Sequence, residues 1–510
     1  MLSKLKALSL IGLSGEEVEI EIDVTRGLPK FLIVGLGDTA VQESRERVRS
    51  AIKNSGFNFP AKRIVVNLAP ADLKKYGPRF DLPIALGILQ ATEQLDLPPD
   101  CLKKIFLGEL GFTGELRPIP GILPTASIAA ERNFSEIFVP HENAAEASVI
   151  PNIKVFGIQN LRQLVDHLKN LTTLEPTACR SLETLQSLEI CLDDMKHIKG
   201  QEQAKRALEI AASGGHNILM TGPPGSGKTM LAKALSTILP RLSVTEALEI
   251  TKVHSIAGLL NEKNPLILER PFRAVHHTAS SIAIVGGGNP PRPGEISLAH
   301  RGVLFLDELA EFPGKTLEVL RQPLEDGVIT ISRSSGSCTF PAKMMLVAAM
   351  NPCPCGFKND PKKECSCAPH QIIRYQNKIS GPLLDRIDLH IEVPRITFEK
   401  LTAKNSDNQS SEDIRKKVEN ARQIQQKRFS NEKIICNAEM SSPLVKKFCP
   451  LETDSQNLLK SAVEKMNLSG RAFYRILKLA RTIADLEESE QIKLPHLAEA
   501  IQYRERKDDD

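Results

Sequence analysis

A glycine-rich stretch near the middle of the chain has the composition and spacing of a phosphate-binding loop. Residues 222–229 read GPPGSGKT and match the pattern G-x-x-x-x-G-K-[ST], between an apolar run that ends at Thr221 and the helical sequence 231–239. In such a loop backbone N–H groups bind phosphates, the lysine neutralises the β- and γ-phosphates, and the hydroxyl binds Mg²⁺. The sequence therefore predicts a site for ATP and Mg²⁺ formed by Gly222, Pro223, Pro224, Gly225, Ser226, Gly227, Lys228 and Thr229.

Two carboxylates end a second apolar run, at Asp307 and Glu308. An apolar strand that ends in Asp-Glu is, taken alone, more often a surface turn. Together with the phosphate-binding loop it predicts a buried parallel strand whose end faces the phosphates. Asp307 would then hold Mg²⁺, directly or through water, and Glu308 would polarise the attacking water.

A third apolar run, residues 344–350, ends in Asn351. An amide at the end of a neighbouring strand indicates a residue that orients the water or senses the γ-phosphate. The alternative is an asparagine that only opens the following turn.

Four cysteines follow directly, in the pattern C-x-C, nine residues, C-x-C. Thiols on a turn-rich segment suit tetrahedral Zn²⁺, although C-x-C is tighter than the usual C-x₂₋₄-C. Redox-sensitive thiols and reduced, unliganded cysteines are the two alternatives. The candidate ligands are Cys353, Cys355, Cys365 and Cys367.

Length and composition limit the kind of protein that can hold these residues in place. A chain of 510 residues is expected to form two to four domains. The net charge of only +4 means that contacts with nucleic acid must come from local patches, and the absence of Trp argues against a base-stacking surface. No apolar run reaches the roughly 18–20 residues that span a bilayer, and the first residues are interpreted as a β segment rather than a signal peptide. A cytoplasmic location is expected.

The pattern of apolar and polar residues predicts an α/β protein with a helical end. Residues 1–168 alternate strand-like and helical stretches, and residues 169–192 are expected to form a linker. Residues 193–395 form a second α/β domain, which carries the phosphate-binding loop and the cysteines. Residues 396–510 are expected to form helices only, after a polar break.

Longer motifs identify a family. Their sequences are FRAVHHTASSIAIVGGGNPPRPGEISLAHRGVLFLDELAEF at 272–312, QPLEDGVITISR at 322–333, AAMNPCPCG at 348–356 and SGPLLDRIDLHIEVP at 380–394. They resemble the AAA+ ATPases of the magnesium-chelatase branch and, more closely, the bacterial ComM/YifB family. The resemblance covers essentially the whole chain.

The resemblance implies roles for individual residues. Asn351 corresponds to sensor 1, and Arg386 to the arginine finger that a subunit supplies to its neighbour. Arg471 corresponds to sensor 2 on the helical lid, although the residues alone suit a solvated side chain near a helix start equally well. Ile198 and Gly200 would line the adenine side of the site.

The first domain carries the stretches YGPRFDLPIALGIL at 76–89 and GELGFTGELRPIPGILPTASIAAERN at 108–133. These stretches resemble the Lon-protease-like domain, and Lon proteases act through a Ser–Lys dyad. Near the expected serine this chain reads GPRFD at 77–81, and residues 118–125 contain no lysine. Proteolysis is therefore not expected, and a structural, ring-forming or DNA-guiding platform is the better interpretation. Four cations of one helix could face a nucleic acid or be balanced by Glu43 and Glu46. They are Arg45, Arg47, Arg49 and Lys53.

A β-hairpin is predicted over residues 326–343. In the family that the chain resembles, this hairpin and the insert at 286–288 point into the pore of a ring. Arg333 and Lys343 are then candidates to bind DNA phosphates, unless they only pair with nearby carboxylates.

These observations lead to three hypotheses for function. The first, which the resemblance to the ComM/YifB family implies, is a homohexameric ring ATPase that moves along single-stranded or branched DNA, as a branch-migration helicase in natural transformation. The second is a magnesium-chelatase motor that remodels a protein partner, which the Lon-like domain and the CPCG motif disfavour. The third, an ATP-dependent protease, is disfavoured by the missing dyad.

Overall fold

The structure is a computed structural model that describes residues 2–178, 194–261, 263–333, 336–360, 362–396 and 409–504. Most of the predicted linker and the start of the predicted helical region, residues 179–192 and 397–408, lie outside the described residues. The fold is mixed α/β with a set of helices at its carboxyl end, as predicted.

The first α/β domain contains a four-stranded sheet in the order β1-β2-β4-β3 and a parallel three-stranded sheet in the order β5-β8-β9. Its strands are β1 (Leu2–Ile11), β2 (Ser14–Thr25), β3 (Lys30–Val34), β4 (Arg63–Ala69), β5 (Lys104–Phe106), β6 (Glu109–Leu110), β7 (Leu116–Arg117), β8 (Glu136–Pro140) and β9 (Lys154–Ile158). Its α-helices are Thr39–Asn54, Asp81–Ala91, Ile122–Glu131, His141–Ala147 and Leu161–Leu168. Short 3₁₀ helices occupy Pro78–Phe80 and Pro99–Lys103.

Alternation along β2 explains why the chain begins as a sheet. Val18, Ile20 and Ile22 are fully buried, whereas the glutamates between them point outward. On the outer face Lys4 of β1 lies 2.7 Å from Glu19 across the antiparallel pair. The hydrophobic face and the charged face therefore specify the same register.

The second domain is built on a five-stranded parallel sheet in the order β11-β14-β17-β10-β18. The strands of this domain, including two hairpins outside the sheet, are β10 (Ile218–Thr221), β11 (Phe272–Val275), β12 (Gly286–Gly287), β13 (Arg292–Pro293), β14 (Val303–Leu306), β15 (Val328–Arg333), β16 (Gly336–Pro341), β17 (Met345–Met350) and β18 (Leu389–Glu392). Its α-helices are Glu202–Gly214, Lys228–Ile238, Val244–Ala257, Ser281–Val285, Glu295–Leu298, Gly314–Glu318, Arg321–Asp326, Pro369–Gln376 and Gly381–Leu384. Short 3₁₀ helices occupy Met195–His197 and Leu309–Glu311.

The sheet brings the candidate site residues together because its central strands are parallel and buried on both faces. Strands β14 and β17 are buried throughout, as continuous apolar runs predict. The carboxyl ends of β10, β14 and β17 therefore meet at one edge of the sheet, where the chain continues into residue 222, Asp307 and Asn351 respectively.

The carboxyl-terminal region is helical, with α-helices Ser411–Arg428, Ser442–Phe448, Thr453–Lys465, Gly470–Leu486 and Leu494–Gln502 and a 3₁₀ helix at Asn437–Glu439. Its apolar side chains share one core with the helices that flank the phosphate-binding loop. Asp485 is 1% exposed at the centre of this region and accepts hydrogen bonds from Arg428 (2.8 Å), Arg481 (3.0 Å) and Asn437 (2.8 Å). This buried charge is therefore paired and fixes three helical segments together.

A closely packed joint connects the two α/β domains. The buried carboxylate of Glu146 accepts hydrogen bonds from the backbone N–H of Leu123 (2.7 Å) and the hydroxyl of Ser255, which lies in the second domain. Burial raises the pKa of Glu146, and these hydrogen bonds oppose that rise. At a second point Ile11, the last residue of β1, and Leu13, in the turn before β2, pack against the core that includes the hairpin β15–β16.

Candidate nucleotide site

The phosphate-binding loop connects β10 to the helix that begins at Lys228. Gly227 adopts a left-handed conformation at the helix start, with φ 91°. Gly222 is required for a different reason, because a Cβ there would lie 2.2 Å from the carbonyl oxygen of Val393. Lys228 is 9% exposed and its Nζ donates to the carbonyl oxygens of Gly222 (2.6 Å) and Pro223 (3.0 Å). Burial lowers the pKa of Lys228, and Asp307 and Glu308 oppose that shift.

Thr229 and Asp307 meet in the structure although the chain separates them by 78 residues. The Thr229 hydroxyl donates to Oδ2 of Asp307 at 2.9 Å, and the other carboxylate oxygen accepts the backbone N–H of Glu308 at 3.0 Å. A hydroxyl and a carboxylate are hard oxygen ligands of the kind that Mg²⁺ prefers. This donor set therefore fits the Mg²⁺ that the sequence predicts.

Glu308 is held by a residue that the sequence reasoning missed. It adopts a left-handed conformation, with φ 54°, and its Oε2 lies 3.2 Å from Nδ1 of His277. His277 follows the end of β11, which is the sheet neighbour of β14. The His276-His277 doublet directly after an apolar strand is the signal that could have identified this contact.

Asn351 lies next to the same loop. Its Oδ1 is 3.4 Å from the Nζ of Lys228, at the end of the strand that separates β14 from β10. The structure therefore brings the predicted sensor amide and the loop lysine together within one chain.

A small cavity lies on the other side of the loop helix. Its volume is about 110 Å³, and its lining includes Ile198, Gln201, Met230 and Ile396. Ile198, one of the two predicted adenine-side residues, lines this cavity, whereas Gly200 is not part of the lining and its neighbour Gln201 is. The Gln201 amide donates to the carbonyl oxygens of Pro394 (2.6 Å) and Ser226 (3.3 Å) and thereby connects this cavity to the phosphate loop.

Arg386 and Arg471 lie together but away from this site. Both guanidinium groups contact the carboxylate of Glu325, with Arg471 at 2.9 Å. Hydrogen bonding to Arg386 lowers the pKa of Glu325. Arg386 is only 6% exposed, whereas the Arg471 side chain is 54% exposed.

The position of Arg386 is fixed at the opposite edge of the sheet from the phosphates. Its carbonyl oxygen accepts a 3.0 Å hydrogen bond from the amide of Asn217, the residue that precedes β10. The phosphate-binding loop begins where β10 ends, and four residues of strand span about 13 Å. Arg386 and Arg471 therefore do not join the nucleotide site of their own chain.

The four clustered cysteines have the geometry of one metal site. Their sulfur atoms all lie within 4.8 Å of one another, and Sγ of Cys353 is 3.4 Å from Cys355 and 3.6 Å from Cys365. Tetrahedral Zn²⁺ with Zn–S bonds of 2.3 Å requires S···S separations of about 3.8 Å. Backbone N–H groups also point at the sulfurs, from Lys358 to Cys353 (3.3 Å) and from Cys355 to Cys367 (3.4 Å). The donor set fits Zn²⁺.

The predicted hairpin is present, and a side-chain contact is described for only one of the two cations predicted to bind DNA phosphates. Strands β15 and β16 pair antiparallel, and Arg333 ends β15, with its side chain outside the described part of the chain. Lys343 lies beyond β16 and its Nζ is 2.9 Å from Oε2 of Glu439 in the helical region. A Cβ at Gly286 would lie 3.1 Å from Ile331, so the hairpin β12–β13, with its exposed Arg292, packs beside β15–β16.

The cations of the first long helix do not form one exposed row. Arg47 turns inward to the buried Asp81, at 2.6 Å, whereas Arg45, Arg49 and Lys53 are exposed. Arg79, in the GPRFD segment at 77–81, is buried and donates to the carbonyl oxygen of Pro120 at 3.0 Å.

Known proteins with similar sequences identify the family. "Competence protein ComM" of Haemophilus influenzae is 46% identical over 501 residues, which is 97% of this chain and 96% of that protein. The chain belongs to the ComM/YifB family. "Uncharacterized protein YifB" of Escherichia coli is 43% identical over 498 residues, 97% of this chain and 95% of its own length.

The ComM/YifB chain also matches three family descriptions. "Magnesium chelatase, subunit ChlI" matches residues 194–401, "Subunit ChlI of Mg-chelatase" residues 20–143, and "Magnesium chelatase, subunit ChlI C-terminal" residues 408–504. The "Magnesium-chelatase 38 kDa subunit" of Cereibacter sphaeroides is 26% identical over 171 residues, 30% of this chain and 51% of that subunit. This ComM/YifB member is therefore a Mg-chelatase-like AAA+ protein, a class whose members use ATP and Mg²⁺. None of the helices in the described residues has both the length and the apolar character needed to cross a bilayer.

Proposed function

We propose that this protein is a ring-shaped, homohexameric ATPase that moves along single-stranded or branched DNA and promotes branch migration during natural transformation. The observation that carries the proposal is the separation of Arg386 and Arg471 from the phosphate loop of their own chain. Phosphoryl transfer is accelerated by an arginine placed at the γ-phosphate. Because each subunit keeps Arg386 and Arg471 at the opposite edge of its sheet, a neighbouring subunit completes the nucleotide site. The competence protein among the relatives supports the role in transformation.

Within each site the residues divide the work of phosphoryl transfer. Lys228 neutralises the phosphates, and Thr229 and Asp307 hold Mg²⁺, which supplies charge neutralisation when bound. Glu308 orients and polarises the attacking water. His277 holds the Glu308 carboxylate, and Asn351 contributes an amide beside the Lys228 ammonium.

The arrangement in trans has a direct test with two inactive variants. Glu308→Gln keeps Arg386 but lacks the catalytic carboxylate, and Arg386→Ala keeps a complete Glu308 site but lacks the cation. Each alone should hydrolyse very little ATP. Mixed rings should regain turnover, because Arg386 of one chain can reach the intact site of the other. No recovery at any mixing ratio would contradict action in trans.

The hairpins β15–β16 and β12–β13 are proposed to hold the DNA. They lie side by side, and Arg333 at the end of β15 and Arg292 on β13 are the cations that would contact phosphates. Lys343 was also a candidate, but its pairing with Glu439 leaves it less suited to that role. Phosphate contacts release counterions, so affinity should fall steeply with salt.

The decisive experiment measures ATP hydrolysis by the purified full chain without DNA and with single-stranded, duplex and branched DNA. Stimulation by single-stranded or branched DNA is expected. Arg333→Ala should reduce DNA affinity and flatten its salt dependence, whereas hydrolysis without DNA survives. Hydrolysis that no DNA changes would instead favour a motor that remodels a protein partner, as the magnesium-chelatase relative suggests.

The four cysteines are proposed to bind one Zn²⁺. Elemental analysis of the purified protein should give about one zinc per chain, because a preformed tetrathiolate site binds Zn²⁺ tightly. Cys365→Ser should abolish the zinc, whereas Cys101→Ser, a buried cysteine outside the cluster, should retain it. Zinc-free protein with four freely titratable clustered thiols would overturn this assignment.

A further inference from the structure

We propose that Zn²⁺ bound to the cysteine knuckle, defined as residues 353–360 and 362–367, sets the affinity of the nucleotide site. The inference rests on the proposed zinc and ATP sites and concerns their coupling. The knuckle is next to the phosphate loop in space, and three contacts of the knuckle or of the residues that lead into it connect it to the nucleotide site.

The first two contacts involve the phosphate loop directly. Asn351 precedes Cys353 by two residues, and its Oδ1 lies 3.4 Å from the Nζ of Lys228. Inside the knuckle, Gly356 packs so closely on the loop that a Cβ there would lie 2.6 Å from Cδ of Pro224. The residue that leads into the knuckle and one turn of the knuckle therefore both lie against the phosphate loop.

The third contact reaches the side of the site that carries the small cavity. The side chain of Asp360 is fully buried, and its Oδ2 lies 3.5 Å from Nε of Arg395. Arg395 also lies over the ring of Phe357, at 5.8 Å from the centroid. The preceding residue, Pro394, accepts the 2.6 Å hydrogen bond from Gln201, which lines the cavity. The knuckle is thus linked to the cavity indirectly, through Arg395, Pro394 and Gln201.

Zn²⁺ would give the knuckle an order that regular secondary structure does not supply. Between β17 and the helix Pro369–Gln376, the described residues contain neither a helix nor a strand. Cys353 is the only cysteine of the four that is fully buried, and the other three are partly exposed. Four bonds from cysteine sulfur atoms to one Zn²⁺ would hold the segment in place, as backbone hydrogen bonds do in a helix or a sheet. A ligand that orders a wall of a second site strengthens binding there, and the coupling is reciprocal.

The test measures binding of Mg²⁺-ADP to the full chain by titration calorimetry, with zinc present, after zinc removal by a chelator, and after zinc is restored. Removal should weaken binding at least tenfold, and restoration should reverse the loss. Reciprocally, saturating Mg²⁺-ADP should slow zinc release to a chromogenic chelator. Unchanged affinity in metal-stripped protein, with circular dichroism showing native helix content, would overturn the coupling and leave the ATPase proposal standing.

A variant that retains all four thiols tests the packing of the knuckle on the phosphate loop separately from zinc coordination. Gly356→Ala should keep its zinc and still weaken Mg²⁺-ADP binding, because the new methyl group displaces Pro224. Gly77→Ala is the matched control, since Gly77 also has a positive φ (75°) but no atom within 4 Å of the added Cβ. Equal affinities for Gly356→Ala and Gly77→Ala would refute the proposed contact route. Zinc-loaded wild-type protein that binds no nucleotide would instead refute the ATP site itself.

Discussion

Replacing Glu325 by glutamine should make the ATPase assemble into active rings at lower protein concentration. In the single chain Glu325 holds both Arg386 and Arg471, the two cations that are proposed to reach a neighbour's nucleotide. Each arginine must leave this carboxylate before it can act in trans. Glu325 therefore competes with the neighbouring site, and glutamine removes the charge while it keeps the size of the side chain.

The size of this change in assembly follows from the solvent exposure of the Glu325 side chain. The Glu325 side chain is 48% exposed, so solvent screens both ion pairs and each contributes at most about 1 kcal/mol. Releasing both costs about 1–2 kcal/mol, which corresponds to a factor of about 5–30 in an equilibrium constant. The protein concentration at half-maximal specific ATPase activity should fall by that factor, and the plateau rate should not change.

The assay is ATP turnover per chain as a function of protein concentration, with Mg²⁺-ADP affinity measured in parallel. Asp326→Asn is the matched control, because this neighbouring carboxylate is exposed and belongs to the same helix. A Glu325→Gln protein that binds nucleotide normally but hydrolyses it slowly at every concentration would refute the reasoning. Glu325 would then be needed in the active interface.

Three further changes have defined outcomes. Glu308→Gln should bind Mg²⁺-ATP as the wild type does and hydrolyse it about 10²–10⁴-fold more slowly in a coupled assay, because the group that polarises the water is lost. Asp485→Asn should lower the free energy of unfolding by about 3–5 kcal/mol in urea titrations, because it leaves buried guanidinium groups without a counter-charge; an unchanged midpoint would contradict this. The hydrogen bond from His300 lowers the pKa of Glu249 from 4.5 to about 2. A carboxyl group with a depressed pKa stabilises the folded state at pH values above its pKa in the unfolded chain. The difference in unfolding free energy between wild type and Glu249→Gln should therefore be complete above about pH 4.5 and shrink as the pH falls toward 2. A difference that grows on acidification would contradict the expected direction of this pH dependence.

Features that depend on neighbouring residues could be predicted from the sequence. The phosphate-binding loop is one continuous motif, and the predicted hairpin at 326–343 contains the paired strands β15 and β16. The proximity of Asp307 to Thr229 was also predictable, because parallel strands must bring their carboxyl ends to one edge.

Features that depend on packing between distant elements could not be predicted. Glu325 meets Arg386 and Arg471 across 61 and 146 residues, and no periodic pattern encodes that encounter. The pairing of Lys343 with Glu439 joins the sheet domain to the helical region in the same way. His277 follows β11, which the strand order β11-β14 places beside the strand that ends before Glu308, and that order is a property of the folded sheet.

The joint between the two α/β domains limits how the protein can be dissected. A chain shortened to begin at residue 194 would lose Ile11 and Leu13, and with them the cover over the apolar side of the hairpin β15–β16. It would also leave Ser255 without the carboxylate of Glu146. Newly exposed apolar surface promotes self-association. Loss of DNA binding in such a fragment would then report aggregation at the hairpin rather than a DNA contact in the missing domain. Single substitutions in the intact chain avoid that ambiguity.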